Sequence, residues 1–261
     1  MKKLFATLVF PLILFAGAAQ AQDVMEVVKK ANHTSYYQGN DGRAMVDMEI
    51  LDDQGRSRSR QFVILRRDDE EADTGQKFYV YFNKPADVKK MAFMVWKNVD
   101  RDDDRWLYLP ALDLVKRIAA SDERTSFVGS HFFYEDVSGR GIEEDTHELV
   151  EETDELYKIK SVPKDTGKVE FAYYVNWIHK ATFLPIKTEY YDENGRNYRT
   201  YTALKVEMVD GHPTVTASQM SDNVSGGKTT MSYSEVKYDV DLPEDIFTER
   251  YLRKAPRKYL K

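Results

Sequence analysis

From Arg43 onward the chain alternates with a period of two. Ala44, Val46, Met48 and Ile50 fall on one side of an extended segment, and Phe171, Tyr173, Val175 and Trp177 fall on one side of another. Leu204, Val206 and Met208 do the same, with Lys205 and Glu207 pointing oppositely. That spacing belongs to strands rather than helices. Turn signals separate the runs: Asp53-Gln54-Gly55, Asp165-Thr166-Gly167, Asn194-Gly195, Asp210-Gly211 and Gly226-Gly227. Asn194-Gly195 is the strongest of these, because both residue types accept the positive φ of a two-residue type I′ turn. Close turns join antiparallel neighbours. About eleven to thirteen strands can be counted on these signals, with no internal repeat.

Three segments break the clean alternation. Residues 78–82, 91–96 and 106–109 are apolar or aromatic almost throughout. A strand with two apolar faces needs cover on both, since leaving one wet forgoes about 25 cal/mol per Å² of apolar surface. Two arrangements supply it. One is the centre of a β-sandwich with a helix over its outer face; the other is an antiparallel sheet curled around a packed helix or a ligand cavity. A short helix is predicted at the start of the exported chain, where Asp23 and Glu26 have capping-box spacing and Val24, Val27, Val28 and Ala31 form one stripe. Residues 139–145 are the best linker candidate, but turn spacing and aromatic content are alike on both sides. The expectation is one domain over residues 22–261.

The amino terminus has the form of a secretory signal peptide. Lys2 and Lys3 precede an apolar run over residues 4–16, and Ala19-Gln20-Ala21 is an A-x-A cleavage site. The run falls short of the roughly 20 residues that span a bilayer. No later stretch is long and apolar enough to span, so the expectation is a soluble product in the periplasm of a Gram-negative bacterium, not membrane-spanning once residues 1–21 are removed. Cleavage takes away two of the 38 basic residues and leaves 36 against 44 acidic ones, a net −8. Such a charge disfavours nucleic acid and anionic lipid headgroups as partners. The chain has no cysteine; disulfides, thiol chemistry and lipidation of an N-terminal cysteine are out of reach.

Sequence signals for catalysis are weak. The five histidines are scattered without the H-x-x-x-H spacing of a helical zinc site. Asp100, Asp102 and Asp104 are spaced like the start of an EF-hand loop, but Arg105 and Ala111 stand where that loop needs Gly and Glu. Gly129-Ser130 lacks the second glycine of a nucleophile elbow. No P-loop or G-x-G-x-x-G is present. The expectation is a protein that is not an enzyme and takes no cofactor or metal.

Residues 105–118, Arg-Trp-Leu-Tyr-Leu-Pro-Ala-Leu-Asp-Leu-Val-Lys-Arg-Ile, and residues 127–137, Phe-Val-Gly-Ser-His-Phe-Phe-Tyr-Glu-Asp-Val, carry a resemblance. They are similar to the W-x-Y-L-P-A-L…R-R-I strand pair and the F-x-G-(S/T)-D-F-x-Y-E-D segment of the LolA-like outer membrane lipoprotein-sorting family. Trp106, Tyr108, Leu109, Pro110, Arg117, Ile118, Phe127, Gly129, Ser130, Phe132, Tyr134, Glu135 and Asp136 match that pattern. Lys116 stands where an arginine is frequent, and His131 where an aspartate is usual. The stretch beginning Pro243-Glu244-Asp245 also resembles the family's C-terminus.

The resemblance implies a mainly β fold with a few helices: a curved, incomplete antiparallel barrel whose helices plug an apolar cavity. It implies a carrier of lipid or lipoprotein acyl chains working towards the outer membrane, beside an inner-membrane exporter of the RND (MMPL-like) type. Cavity or lid candidates are Trp96, Trp106, Tyr108, Arg117, Phe127, Phe132, Phe133, Tyr134 and Trp177. Each aromatic is equally explained as core. Arg117 either pairs with Glu135 or Asp136 or binds a phosphate or acyl ester. Pro110 ends a strand, and Gly129 supplies a backbone conformation other residues resist. Two further readings stay open: an adaptor that docks on the exporter without carrying cargo, and an enzyme marked by titratable groups with perturbed pKa values at one end of the barrel.

Overall fold

The computed structural model describes residues 23–68 and 73–261. The signal-peptide expectation falls on residues 1–21 and lies outside the described residues. Among those described, no helix is long and apolar enough to cross a membrane.

Helix α1 (Val24–Asn32) is capped by Asp23, which accepts a hydrogen bond from the Met25 N–H at 3.0 Å. Lys29 and Lys30 occupy its last turn, where a cation suits the helix dipole. The helix continues into a single π-helical turn, His33–Tyr37, and the chain becomes extended at Gln38. Six strands follow in a meander: β1 (Asp41–Leu51), β2 (Ser57–Asp68), β3 (Gly75–Lys84), β4 (Ala92–Asn98), β5 (Asp104–Leu109) and β6 (Leu114–Ile118). A connector over residues 119–144 contains the short helix α2 (Tyr134–Ser138). A second meander comprises β7 (Asp145–Glu152), β8 (Leu156–Pro163), β9 (Tyr173–His179), β10 (Pro185–Tyr191), β11 (Asn197–Val209), β12 (His212–Asp222) and β13 (Lys228–Tyr238). A C-terminal segment with α3 (Glu249–Arg253) ends the chain.

The thirteen strands form one antiparallel sheet in the order β6-β5-β4-β3-β2-β1-β13-β12-β11-β10-β9-β8-β7. The two meanders join where β1 pairs with β13, Val46 opposite Tyr233, and β6 and β7 are left as edges. A flat sheet would set β3 and β9 about 34 Å apart, seven strand spacings of about 4.8 Å. Side chains from both line one cavity, so the sheet curls into an open barrel.

The two-faced strands are covered on both sides. On the inner face Phe78, Val80, Phe82, Phe93, Val95 and Leu107 pack with Val46, Met48 and Phe62 against Phe127, Phe132 and Tyr134 of the connector. On the outer face Val63, Leu65, Tyr79, Ala92, Met94 and Trp106 pack against Leu242, Ile246, Phe247 and Leu252 of the C-terminal segment. Asp41, fully buried, fixes that segment by accepting from the N–H groups of Val240 (2.7 Å) and Leu242 (2.6 Å). A third cluster seats Val27, Val28 and Ala31 of α1 on Tyr157, Ile159 and Ile178 of β8 and β9.

One local expectation is corrected. At Asn194-Gly195 only the glycine takes positive φ, +73°. The loop is instead built on Asp192, whose Oδ1 accepts from the N–H of Asn194 (3.0 Å) and Arg196 (2.9 Å). Asp52 builds the same loop with Gln54 and Arg56. Paired positive φ values occur at Asp210 (+49°) and Gly211 (+86°), where Val209 is partnered with His212 across a two-residue turn. Register shifts around residues 203–206 interrupt the regular pleat of β11, where Leu204, Val206 and Met208 are exposed.

Candidate functional site

A cavity of about 400 Å³ lies between α1 with its π turn, the connector and the inner face of the sheet. That is within the roughly 300–1,000 Å³ of small-molecule sites. Phe62, Ile64 and Val80 from β2 and β3, Met220 and Met231 from β12 and β13, and Phe127 and Phe132 from the connector give it apolar walls. Tyr36, Tyr174, Tyr190, Tyr201, Tyr233, Asp136 and Arg140 make another part polar.

The connector is held over the cavity by buried ion pairs. Arg124 and Arg140 both contact Glu135, the latter at 3.2 Å. Arg140 also pairs with Asp145 at the start of β7 (3.1 Å), and Tyr174 Oη donates to the same carboxylate (2.8 Å). Asp136 accepts from the Phe133 N–H (2.6 Å) and pairs with Arg199 of β11. On the other side of the cavity, Lys97 of β4 donates to the carbonyls of Ser138 (2.8 Å) and Gly139. Arg105 of β5 donates to Glu123 (2.6 Å) and Asp103 (2.8 Å). One connector is thereby tied to both meanders.

Burial pulls the Lys97 ammonium down and pushes the Glu123 and Glu144 carboxyls up. Arg140 and Arg105 stand against the two glutamates and oppose the rise. The tyrosines shift away from neutrality: burial, then the nearby Asp136 carboxylate, pushes Tyr190 up to about 12 and Tyr36 well above its ordinary value. At neutral pH these phenols are hydrogen-bond donors, not bases.

The left-handed backbone of Gly139 (φ +76°) lets it touch the wall itself: a Cβ there would meet the Tyr36 ring at 2.5 Å. Gly129 also has positive φ, +77°, immediately after Val128 at +51°; the conformation, not crowding, calls for glycine there. His131 binds Thr229 through its backbone N–H (3.0 Å) and Nδ1 (2.8 Å), and its carbonyl accepts from Arg199 (3.2 Å).

Of the nine sequence candidates, Phe127 and Phe132 line the cavity. Tyr134 packs behind Phe127 (5.5 Å) and Phe93 (5.1 Å) in the core. Phe133 lies beneath the guanidinium of Arg199, 3.9 Å away. Trp96, Trp106 and Tyr108 are corrected: they alternate with inward Val95 and Leu107 and belong to the outer face. There Trp96 Nε1 donates to the Phe247 carbonyl (2.8 Å) and meets Trp106 edge-on at 5.0 Å. Tyr108 Oη donates to Asp113 (3.1 Å). Arg117 touches neither Glu135 nor Asp136; it is exposed and paired with Asp104. Trp177 alternates with cavity-lining Tyr174, Asn176 and Ile178 and faces away, between Lys158 and Lys187. The sequence reading missed Arg124, Arg140 and Arg199, and the cavity tyrosines. Only the 17 tyrosines in the composition hinted at the latter.

A family model described as “-like: Uncharacterized protein” matches residues 74–254, a span that contains both motif segments. Solved structures are similar over nearly the whole chain. A DUF1329 family protein from Desulfovibrio piger is 26% identical, with a TM-score of 0.78 over 88% of this chain and 95% of that one. A domain assigned to the outer membrane lipoprotein-sorting proteins, from Vibrio parahaemolyticus, is 28% identical, with a TM-score of 0.78 over 88% of this chain and 97% of that one. The chain belongs to the LolA-like outer membrane lipoprotein-sorting protein family. A LolA superfamily protein from Nitrosomonas europaea shares the LolA-like fold at 20% identity, with a TM-score of 0.67 over 87% of this chain and 98% of that one. No curated protein matches the chain. Within this LolA-like chain the Tyr134-Glu135-Asp136 segment has a physical role. Tyr134 enters the core while the two carboxylates hold three arginines that fasten the connector.

Proposed function

We propose that this protein is a periplasmic carrier that shelters the acyl chain of a lipid or lipoprotein in its cavity and moves it towards the outer membrane, receiving it beside an RND-type inner-membrane exporter. The observation that carries the reading is the hollow of about 400 Å³ between the curled sheet and its plug, walled on one side by Phe62, Val80, Phe127, Met220 and Met231. Burying a tail is worth about 0.8 kcal/mol per CH₂, so a sixteen-carbon chain gains roughly 10 kcal/mol before ordering costs. That is enough to hold a tail outside a bilayer. Methionine and phenylalanine fit flexible chains without demanding one geometry. The LolA-like relatives and the export-type leader support the same reading.

Native mass spectrometry of the purified protein, followed by lipid extraction, tests it. Bound lipid, or uptake of a fluorescent fatty acid that is lost in Ala44→Trp, which fills the cavity, is the expected outcome. An empty protein that takes up no fatty acid overturns the carrier reading. The adaptor alternative draws on the exposed apolar side chains Leu204, Val206 and Met208 of β11, a surface able to meet a partner. Co-purification with the exporter that persists in Ala44→Trp, without any lipid uptake by the wild type, would favour it.

A further inference from the structure

The polar part of the cavity is built for a ligand group of its own. Tyr36, Tyr190, Tyr201 and Tyr233 line the hollow and keep accessible surface there. Asp136 is close enough to raise the pKa of all four, after the larger effect of burial. Among the described residues the hydroxyls of Tyr36 and Tyr190 make no hydrogen bond, and that of Tyr233 donates to the Met231 sulfur at 3.4 Å. Asp136 spends Oδ2 on Phe133 and Arg199; its Oδ1 has no hydrogen-bond partner among the described residues. Behind this wall Arg199, 3% exposed, lies over the Phe133 and Tyr190 rings and fixes Asp136 in place. Buried polar groups ordinarily find partners, so unmatched donors and one unmatched acceptor at a cavity wall mark a place where a ligand supplies them.

The charges select the ligand class. Arg199 is paired with Asp136, and the lining arginines Arg140, Arg66 and Arg43 are paired with Asp145, Asp68 and Glu235, so none of these guanidiniums is left without a carboxylate to hold a ligand carboxylate or phosphate, and the carboxylate of Asp136 repels one. Asp136 Oδ1 requires an N–H or O–H from the ligand. The phenols, protonated at neutral pH, require an acceptor. We infer that this cluster is a headgroup subsite for an uncharged amide, the N–H facing Asp136 and the carbonyl facing the tyrosines, with the attached acyl tail along the Phe62–Val80–Phe127 wall. The inference rests on the carrier reading and narrows it from any acyl chain to an N-acyl amide, whether of a free lipid or of an acylated polypeptide.

The test measures affinity for three sixteen-carbon probes at pH 7: N-palmitoylethanolamine, N-palmitoylated triglycine amide and palmitate. Wild type is expected to bind at least one amide about tenfold more tightly than palmitate. The isosteric variants Tyr36→Phe and Tyr190→Phe keep the rings, and each is expected to lose about five- to tenfold in amide affinity with palmitate affinity little changed. Preference for the lipid amide or for the acylated peptide then identifies the source. If all three probes bind alike and both variants are silent, chain binding stands and the subsite is overturned. If no probe binds, the carrier reading falls and takes the subsite with it.

Discussion

Single residues separate structure from surface in this chain with a clarity the motif pattern lacks. Arg117 matches the family pattern, yet it is 68% exposed and its partner is Asp104. Arg117→Ala is expected to change the unfolding free energy measured in urea by no more than about 0.5 kcal/mol, the usual scale for an exposed pair. Glu135 is 4% exposed and serves both Arg124 and Arg140. Arg124 keeps Glu170 and Arg140 keeps Asp145 when it is removed, so Glu135→Ala is expected to cost about 1–3 kcal/mol on the same measurement, the scale of a lost charged hydrogen bond. Gly139→Ala adds a Cβ at positive φ and into the Tyr36 ring. About 2–4 kcal/mol of destabilisation is expected, with Tyr36 displaced into the cavity and lipid uptake reduced. A sequence reading could see that arginines and acids were present near the motif. It could not see which ones met, because Arg199 reaches Asp136 and Arg124 reaches Glu170 only once the connector is laid between the meanders.

At the scale of elements, two segments decide whether the sheet keeps its covers. The C-terminal segment is the lid of the outer face: Tyr79 Oη and Trp96 Nε1 donate to its carbonyls at 2.8 Å, and Asp41 holds its start. Truncation after Asp239 would uncover Leu65, Tyr79, Met94 and Trp106. An insoluble or strongly dye-binding product is expected, read by solubility and hydrophobic-dye fluorescence. The π turn is fastened by Arg66, which donates to the Tyr36 carbonyl (2.8 Å) and pairs with Asp68 (2.9 Å). Burial raises the Asp68 carboxyl to about 6 despite that arginine. The folded state therefore binds this proton more tightly than the unfolded chain. Its contribution is fully present below the ordinary carboxyl range and is lost as pH rises through about 6. Measured by chemical denaturation between pH 4 and 7, the stability of Asp68→Asn relative to wild type is expected to climb with pH; a flat difference would remove Asp68 as the cause.

For the whole molecule, the plug and the curled sheet enclose a hollow beside their packed core, and a ligand in that hollow stabilises the folded state by mass action. At a hundred times Kd the gain is about 2.7 kcal/mol. A concentration-dependent rise in Tm with a palmitoyl ligand, absent in Ala44→Trp, is the expected result. That same architecture explains which parts were legible in advance. Residues 78–82 announced two covered faces because every position is apolar, but not which face looks onto the connector and which onto the C-terminal segment. For Trp96, Trp106 and Tyr108 that one fact separates the cavity from the outer face, and no residue nearby in sequence supplies it.

The sequence alone determined the strands, the close turns, the helix at Asp23, the two-sided burial of β3 to β5 and the family segments, because each depends on neighbours a few residues away. The tertiary structure decided the rest. Period two shows that alternate side chains part company; only the direction in which a sheet curls tells which set faces inward. The hollow itself is lined by residues from 28 to 238, and it exists only where that curl brings distant strands around a common space.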